Sequence, residues 1–274
     1  MVIRGEFFLY NKQILPANLS GSIHMEGTVV YEVIRIVKGV PLFFTDHYHR
    51  LLHSCSLIGY VPSVDPLVLL REFRDLTEKN RIREGNILMK IAFTGADEKQ
   101  VIAFIPHHYP TDDEYRKGVR VDFLPAQRNN PEAKVEQNVR ERANQMLQST
   151  DGYEVLLVDP DGGITEGSRS NVFFLRNNRL VTAPLNRVLK GITMAKVLEI
   201  AETEHIPVVF SAVKIDDLGR FSSAFLTGTS PRILPIATAG PYSFSVDHPV
   251  VETIRKRYDE MMEQDIQRQL YPAS

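Results

Sequence analysis

The chain has 274 residues, enough for one large domain or two ordinary ones, and its 43% hydrophobic content is that of a folded globular protein. A formal net charge of −2, with acids and bases mixed along the chain, offers no basic face for nucleic acid and no polybasic anchor for a membrane. Cys55 is the only cysteine, which excludes an intrachain disulfide and a thiolate zinc site and fits a reducing, cytoplasmic setting; Met1–Glu6 lacks the apolar core of a signal peptide, and no apolar run reaches the length of a membrane span.

In chain order, residues 27–44 read as a long strand, a Lys38-Gly39 turn and a return strand. Alternation sets Tyr31, Val33 and Arg35 on one face and Glu32, Ile34 and Ile36 on the other. Thr45 or Asp46 caps a helix to about Ile58, stopped by Gly59, with Tyr48, Leu51, Leu52, Cys55 and Ile58 as its buried stripe. His47, Arg50 and Ser54, spaced three and four apart, share another face that can present a cation to an anion. A second helix covers about 65–79, with Leu67, Leu70, Phe73 and Leu76 inward, and a hairpin follows across the Gly95-Ala96-Asp97 turn. Polar residues collect from Tyr109 to Lys117, which places a domain boundary near residue 117.

Beyond the boundary come a strand at 119–124, a loop at Asn129-Asn130-Pro131, a helix over about 136–149 with Lys134 just before it, and strands at 155–158 and 172–175. Between those last two lies a polar knot, Thr165-Glu166-Gly167-Ser168-Arg169-Ser170-Asn171. A carboxylate set between apolar strands needs a partner, protein or ligand; the residues alone leave open a solvated loop with a surface glutamate. Leu189-Lys190-Gly191-Ile192-Thr193 then opens an amphipathic helix whose N-terminal N–H groups can take an anion, a property every helix start shares. Strands at 208–213, 221–226 and 233–237 and a closing helix from Pro249 to Leu270, burying Val250, Ile254, Met261 and Ile266, complete the chain. His47, His49 and His53 lack the neighbouring carboxylates of a metal site.

Several ordered blocks resemble the class IV aminotransferases: YEVIR at 31–35, HxxR at His47 and Arg50, KxxxN at Lys134 and Asn138, EGxxxN from Glu166, LxGIT at 189–193 and GTS at 228–230. The resemblance implies an α+β, two-domain fold-type IV enzyme that uses pyridoxal 5′-phosphate (PLP). It would have a smaller N-terminal α/β domain, residues 1–117, and a larger C-terminal PLP-binding domain with a β-barrel-like core, residues 118–274. Lys134 is then the Schiff-base lysine, and Glu166 bonds the pyridine nitrogen. Arg50, the backbone of Ile192 and Thr193, and the Thr229 hydroxyl hold the phosphate. Tyr31, Val33, Lys90 and Ser230 face the substrate. The implied activity moves an amino group between an amino acid, branched-chain-like or other, and a 2-oxo acid, in a homodimer without nucleic-acid or membrane partners.

These roles accord with the chemistry. A lysine that forms an imine must shed its proton, a ring-nitrogen carboxylate makes the cofactor an electron sink, and Arg, helix N–H groups and Thr neutralise a phosphate dianion. The donor stays open. The strand at 89–94 lacks the Arg and His usual in D-amino-acid enzymes, Glu32-Val33 replaces the Glu-Gly usual in branched-chain enzymes, and the threonines usual in aminodeoxychorismate lyases are missing near Glu32. Lys90, Arg35 and Arg232 are candidate carboxylate binders, with a salt-bridge role as the alternative for each. A PLP lyase and a non-catalytic anion-binding protein are the competing readings.

Overall fold

A computed structural model describes residues 2–95 and 97–271, so Ala96 of the expected 95–97 turn lies outside the described residues. The chain forms two compact units, and they do not follow a single cut at residue 117. The first unit holds the residues up to His108, the short segment Ala133–Glu136 and the described residues from Met261 onward; the second holds Tyr109–Glu132 and Gln137–Glu260. Local pairing explains the extra pieces. Val135 bridges Val30 in antiparallel fashion, and the Phe43 N–H donates to the Asp265 carboxylate at 2.7 Å.

The first unit is a six-stranded antiparallel sheet carrying two helices. Its strands are β1 (Phe7–Tyr10), β2 (Gln13–Pro16), β3 (Thr28–Val37), β4 (Val40–Pro41), β5 (Gly85–Thr94) and β6 (Asp97–Ile105), in the order β2-β1-β6-β5-β3-β4. Lys38 and Gly39, both at positive φ, make the tight turn between β3 and β4 that the sequence signals. Val30, Glu32, Ile34 and Ile36 of β3 are buried on one face while Tyr31, Val33 and Arg35 are half-exposed on the other, as alternation requires.

Helices α1 (Phe44–Leu57) and α2 (Pro66–Asn80) supply Phe44, Leu51, Cys55, Leu69, Phe73 and Leu76 to the core they share with β3, β5 and β6. Both expected stripes need adjustment. In α1 the buried residues are Phe44, His47, Leu51, Ser54 and Cys55, so His47 and Ser54 of the polar face turn inward beside Leu51 and Cys55 of the expected stripe; no side-chain cap forms, and Asp265 receives the Phe43 N–H instead. In α2, Asp65 caps the N–H groups of Leu67 and Val68, which turns Leu67 outward at 71% exposure and sets Leu69 and Glu72 inward.

The second unit is built on a ten-stranded sheet, and the polar stretch before the expected boundary begins it as helix α3 (Asp112–Lys117). Thr111 and Glu114 make a reciprocal capping box there. Strand β7 (Val119–Pro125) and helix α4 (Val139–Gln148) precede β8 (Glu154–Val158), β9 (Gly163–Gly167), β10 (Asn171–Arg176) and β11 (Arg179–Thr182). Helix α5 (Ile192–Thr203) leads to β12 (Val208–Phe210), β13 (Val213–Lys214), β14 (Ser223–Gly228), β15 (Arg232–Ala239) and β16 (Tyr242–Ser243).

The path runs β12-β11-β10-β14-β15-β7-β8-β9-β13, with β16 on β15. Ile164 and Val213 at one end share a single core with Val172 and Phe174 near the other, which requires the sheet to curl on itself, the barrel-like form expected. Helix α6 (Pro249–Leu270) closes the chain and buries Val251, Ile254, Tyr258, Met262 and Ile266, one position on from two of the expected residues.

Strands β1 and β2 carry no strong period and were not expected. Asn80, the last residue of α2, holds them: its Oδ1 accepts the N–H groups of Glu6 and Phe7 at 2.8 and 2.9 Å, and its amide donates to the carbonyls of Phe7 and Leu76. Asn80→Ala should lower stability by about 2–3 kcal/mol, from several lost bonds of roughly 1 kcal/mol each, partly replaced by water. A urea midpoint shifted accordingly, with an unchanged slope, is the check.

Candidate active site

In the first unit the polar residues gather around β3. Ala133–Glu136 lies along the edge of that strand: the Tyr31 N–H donates to the Lys134 carbonyl at 3.1 Å, and the Glu136 N–H donates to the Val29 carbonyl at 3.1 Å. The Lys134 N–H donates to Ser54 Oγ at 3.1 Å, tying the segment to α1, and Lys134 Nζ stands 4.8 Å from the centre of the Tyr31 ring. Lys134 is therefore held by a strand pairing, several residues ahead of α4, rather than directly at a helix start.

Beneath it, Glu32 is 1% exposed among the aliphatic residues of β3. Arg50 grips both its oxygens, Nε to Oε1 at 2.7 Å and Nη2 to Oε2 at 2.6 Å, and His47 Nδ1 lies 2.8 Å from Oε2. Burial alone would raise the Glu32 pKa, yet the charge and hydrogen bonds of Arg50, with those of His47, hold the carboxyl well below the usual carboxylate range. His47 is shifted down, by burial first and against the pull of Glu32, so it is neutral and donates Nδ1–H to the carboxylate. Two of Arg50's five N–H donors are thus committed to a protein partner, which orients the guanidinium.

Of the substrate-facing candidates, Tyr31 and Lys90 are register partners on β3 and β5 and share a sheet face. Val33 follows on that face, opposite Leu88. Lys90 is not solitary: its amine pairs with Glu136 at 2.5 Å. Cys55 is fully buried, and its thiol is pushed up to about 12, out of reach of nucleophilic chemistry at neutral pH.

In the second unit the polar knot is not a loop. Thr165, Glu166 and Gly167 belong to β9 and are buried, with Glu166 3% exposed. The turn from Gly167 into β10 is built on a second buried acid, Glu154 of β8. Its carboxylate accepts from Ser168 Oγ at 2.6 Å, Ser170 Oγ at 2.9 Å and the Arg169 N–H at 3.2 Å. A Cβ on Gly167 would fall 2.1 Å from Ser170 Oγ, so any other residue here would have to displace the Ser170 hydroxyl from Glu154.

Glu166 makes a different set of contacts: the Leu189 N–H donates to Oε2 at 3.2 Å, and Arg128 Nη1 lies 3.5 Å from Oε1. Asn171 donates to the Leu189 carbonyl at 2.8 Å, and its Oδ1 would meet a Cβ on Gly191 at 2.3 Å. Gly191, at the N-cap of α5, lets β10 and the helix start approach this closely, and Ile192 and Thr193 follow it into buried positions. Thr193 Oγ1 lies 3.3 Å from the Tyr258 hydroxyl. Thr229 and Ser230 form the turn between β14 and β15. Arg232 is tied to Asp259 at 3.2 Å and lies over the Tyr115 ring, a structural arrangement rather than a waiting carboxylate site.

The sequence reading missed three partners: Glu32 for Arg50, Arg128 for Glu166 and Glu136 for Lys90. The first was findable, because Glu32 is the one acid on an otherwise aliphatic strand face and the i, i+3 spacing of His47 and Arg50 presents two bases together. Arg128 sits in an irregular loop where no period points.

Residues 29–239 match the family model described as amino-transferase class IV. The D-alanine aminotransferase of Bacillus licheniformis is 28% identical over 226 residues, covering 77% of this chain and 79% of that one. Among solved structures, the branched-chain amino acid aminotransferase of Escherichia coli superposes with a TM-score of 0.83 at 21% identity, covering 94% of this chain and 95% of that one. The T.th. branched-chain amino acid aminotransferase solved with pyridoxamine 5′-phosphate gives 0.81 at 23% identity, covering 96% of each.

The buried triad sets a pH dependence. As pH falls below about 6.5 the unfolded chain protonates His47 while the folded one resists, so stability is lost from that value down through the lowered folded pKa. Glu32 acts lower: its contribution is intact above the unfolded value near 4.5 and is lost as pH falls toward its depressed folded value. His47→Gln keeps a donor to Glu32 and removes the first limb. Urea midpoints from pH 7 to 5 should decline less steeply in the variant, by up to about 1.4 kcal/mol per pH unit.

Proposed function

We propose, from the premise that the chain belongs to the class IV aminotransferases, that Lys134 is its cofactor lysine and that Glu166 is the partner of the cofactor's ring nitrogen. Enzymes of this family use PLP and move an amino group between an amino acid and a 2-oxo acid. The observation that carries the assignment is the contrast between the two buried acids of the second unit. Glu154 is taken up by three donors of its own turn, whereas Glu166 lies in a strand beside Arg128 and accepts the Leu189 N–H, in the segment that leads to the start of α5.

The residues fit such a cofactor. A buried carboxylate paired with Arg128 suits a protonated pyridine nitrogen. The close seat of Gly191 leaves the N–H groups of Ile192 and Thr193 at the start of α5, where a phosphate dianion is favoured. Arg50, pre-oriented by Glu32, and the Thr229 hydroxyl are the other proposed phosphate ligands. The cofactor supplies the electron sink that makes the substrate Cα–H acidic. Lys134 Nζ would move that proton between the substrate Cα and the cofactor carbon on the far side of the nitrogen, as general acid and base. Tyr31, beside that amine, limits its swing, while Val33, Lys90 and Ser230 are proposed to face the substrate, with Glu136 tempering the charge of Lys90.

The 118–274 stretch is assigned as the cofactor domain. A homodimer in the cytoplasm is the proposed setting. Among the described residues no helix is long and apolar enough to cross a membrane. Sedimentation that finds a fully active monomer at assay concentration would refute the dimer.

Borohydride treatment of the purified yellow protein should fix the cofactor to the peptide carrying Lys134; labelling at another lysine would overturn the assignment. Lys134→Ala should retain PLP through the phosphate contacts and lose nearly all turnover.

Glu166→Gln keeps the shape of the side chain and removes its charge, so PLP content should stay near wild type. Turnover should fall on the order of a hundred- to a thousand-fold, the usual effect of losing one preorganised electrostatic contact worth ~3–4 kcal/mol. Single-turnover rates with Cα-deuterated substrate should reveal an enlarged isotope effect. A variant with wild-type rates would return Glu166 to a purely structural role.

A further inference from the structure

A cavity of about 420 Å³ opens in the first unit, away from Lys134, between the start of α2 and the turn joining β1 to β2. Its wall includes Glu72, Gln100, Lys12, Asp65 and Tyr48. Glu72 is 8% exposed, and both of its carboxylate oxygens are buried without a hydrogen-bond partner. A buried carboxylate with neither oxygen satisfied is costly, and folded proteins rarely retain one unless something outside the chain meets it.

The surrounding groups narrow what that something is. One oxygen of Asp65 is already spent on capping α2, and among the described residues no three His, Cys, Asp or Glu side chains gather as a metal site. An organic cation with N–H donors is therefore the better match for Glu72. Lys12 gives the cavity its positive end. The Asn11-Lys12 turn is bolted to β6, since the Asn11 N–H donates to the Gln100 carbonyl at 2.9 Å and the Gln100 N–H donates to Asn11 Oδ1 at 2.8 Å. Lys12 consequently sits at the cavity, at a positive φ that its side chain does not favour, without reaching Glu72. The wall opposite is also fixed, because the Tyr48 hydroxyl donates to the Val64 carbonyl and Glu98 accepts the Ser63 N–H.

We propose that this cavity is a second small-molecule site that takes an α-amino acid or a similar small zwitterion, its ammonium on Glu72 and its carboxylate toward Lys12. The burial that raises the Glu72 pKa, opposed chiefly by the charge of Lys12, is relieved when a cation docks on the carboxylate. The volume falls within the range of small-ligand sites, roughly 300–1,000 Å³. Such a site on an aminotransferase would sense the amino-acid pool without taking part in the chemistry.

Two probes separate the ends of the ligand. 2-Aminoisobutyrate is a zwitterion with no Cα–H to transfer, and ethylammonium lacks the carboxylate. Each is titrated calorimetrically into holoenzyme while the visible spectrum reports any binding at the cofactor. Wild type should show a saturable event that leaves the spectrum unchanged. Glu72→Gln should weaken both probes at least tenfold, whereas Lys12→Met should weaken 2-aminoisobutyrate about tenfold and leave ethylammonium alone. Both variants should keep the wild-type kcat/KM.

Superimposable titrations of wild type and Glu72→Gln, or equal effects of Lys12→Met on the two probes, would overturn the proposal. If Glu72→Gln fails to fold, the Gln100 side-chain amide in wild type serves instead. A shift of its NMR signal with added 2-aminoisobutyrate supports the site, and an unmoved signal overturns it.

Discussion

The first unit is arranged around one buried charge, the Glu32 carboxylate beneath Arg50 and His47. Three aliphatic neighbours on its strand face would exclude it from the core if it stood alone. Its retention depends on two-point contact from Arg50 and a third contact from neutral His47. Such a triad adds little net stability over a well-packed apolar set, but removing one member strands the others at a cost of several kcal/mol. What it supplies is definition. The register of α1 on the sheet, the direction of the guanidinium and the position of Ser54 are set together, and Ser54 in turn anchors the backbone of Lys134. Lys134 therefore inherits its place from a salt bridge it does not join.

The second unit uses buried acids in two distinct ways. Glu154 is consumed by the Gly167–Ser170 turn and shapes it, so that the tight approach of Gly167 to Ser170 becomes the resting geometry. Glu166, in the adjacent strand, has its charge balanced by Arg128 while its second oxygen takes one backbone donor. The first arrangement spends the acid's acceptors on protein donors. The second sets a buried carboxylate beside an arginine and the backbone that leads to α5.

Much of this was legible in the residues. Period-two alternation located β3 and set Glu32 on one face with Ile34 and Ile36, and the Gly191 signal located the start of α5. Where reading failed, tertiary contacts had overridden local pattern. Leu67 looks like core by spacing but is turned out by the Asp65 cap, and the polar knot looks like loop because its strand is filled by Thr165 and Glu166, whose burial depends on partners far along the chain. Arg128 lies outside any periodic element, and β1 and β2 owe their place to Asn80, so neither left a mark that composition or spacing could register. The single boundary near residue 117 missed the return of 133–136 and of the chain's end for the same reason: pairing along a strand edge carries no sequence signature at the partner.

That return bears on biogenesis. Residues up to His108 emerge first during synthesis, yet the unit they belong to also needs the short segment carrying Lys134 and the last turns of α6, where Asp265 receives the Phe43 N–H and Glu263 meets Lys38. The second unit, by contrast, is complete in itself by Glu260. Domains usually fold in the order they are made. Here the earlier-made unit is the later to be finished: residues 133–136 cover its β3 edge midway through synthesis, and the contacts of Glu263 and Asp265 follow only after the second unit has been made.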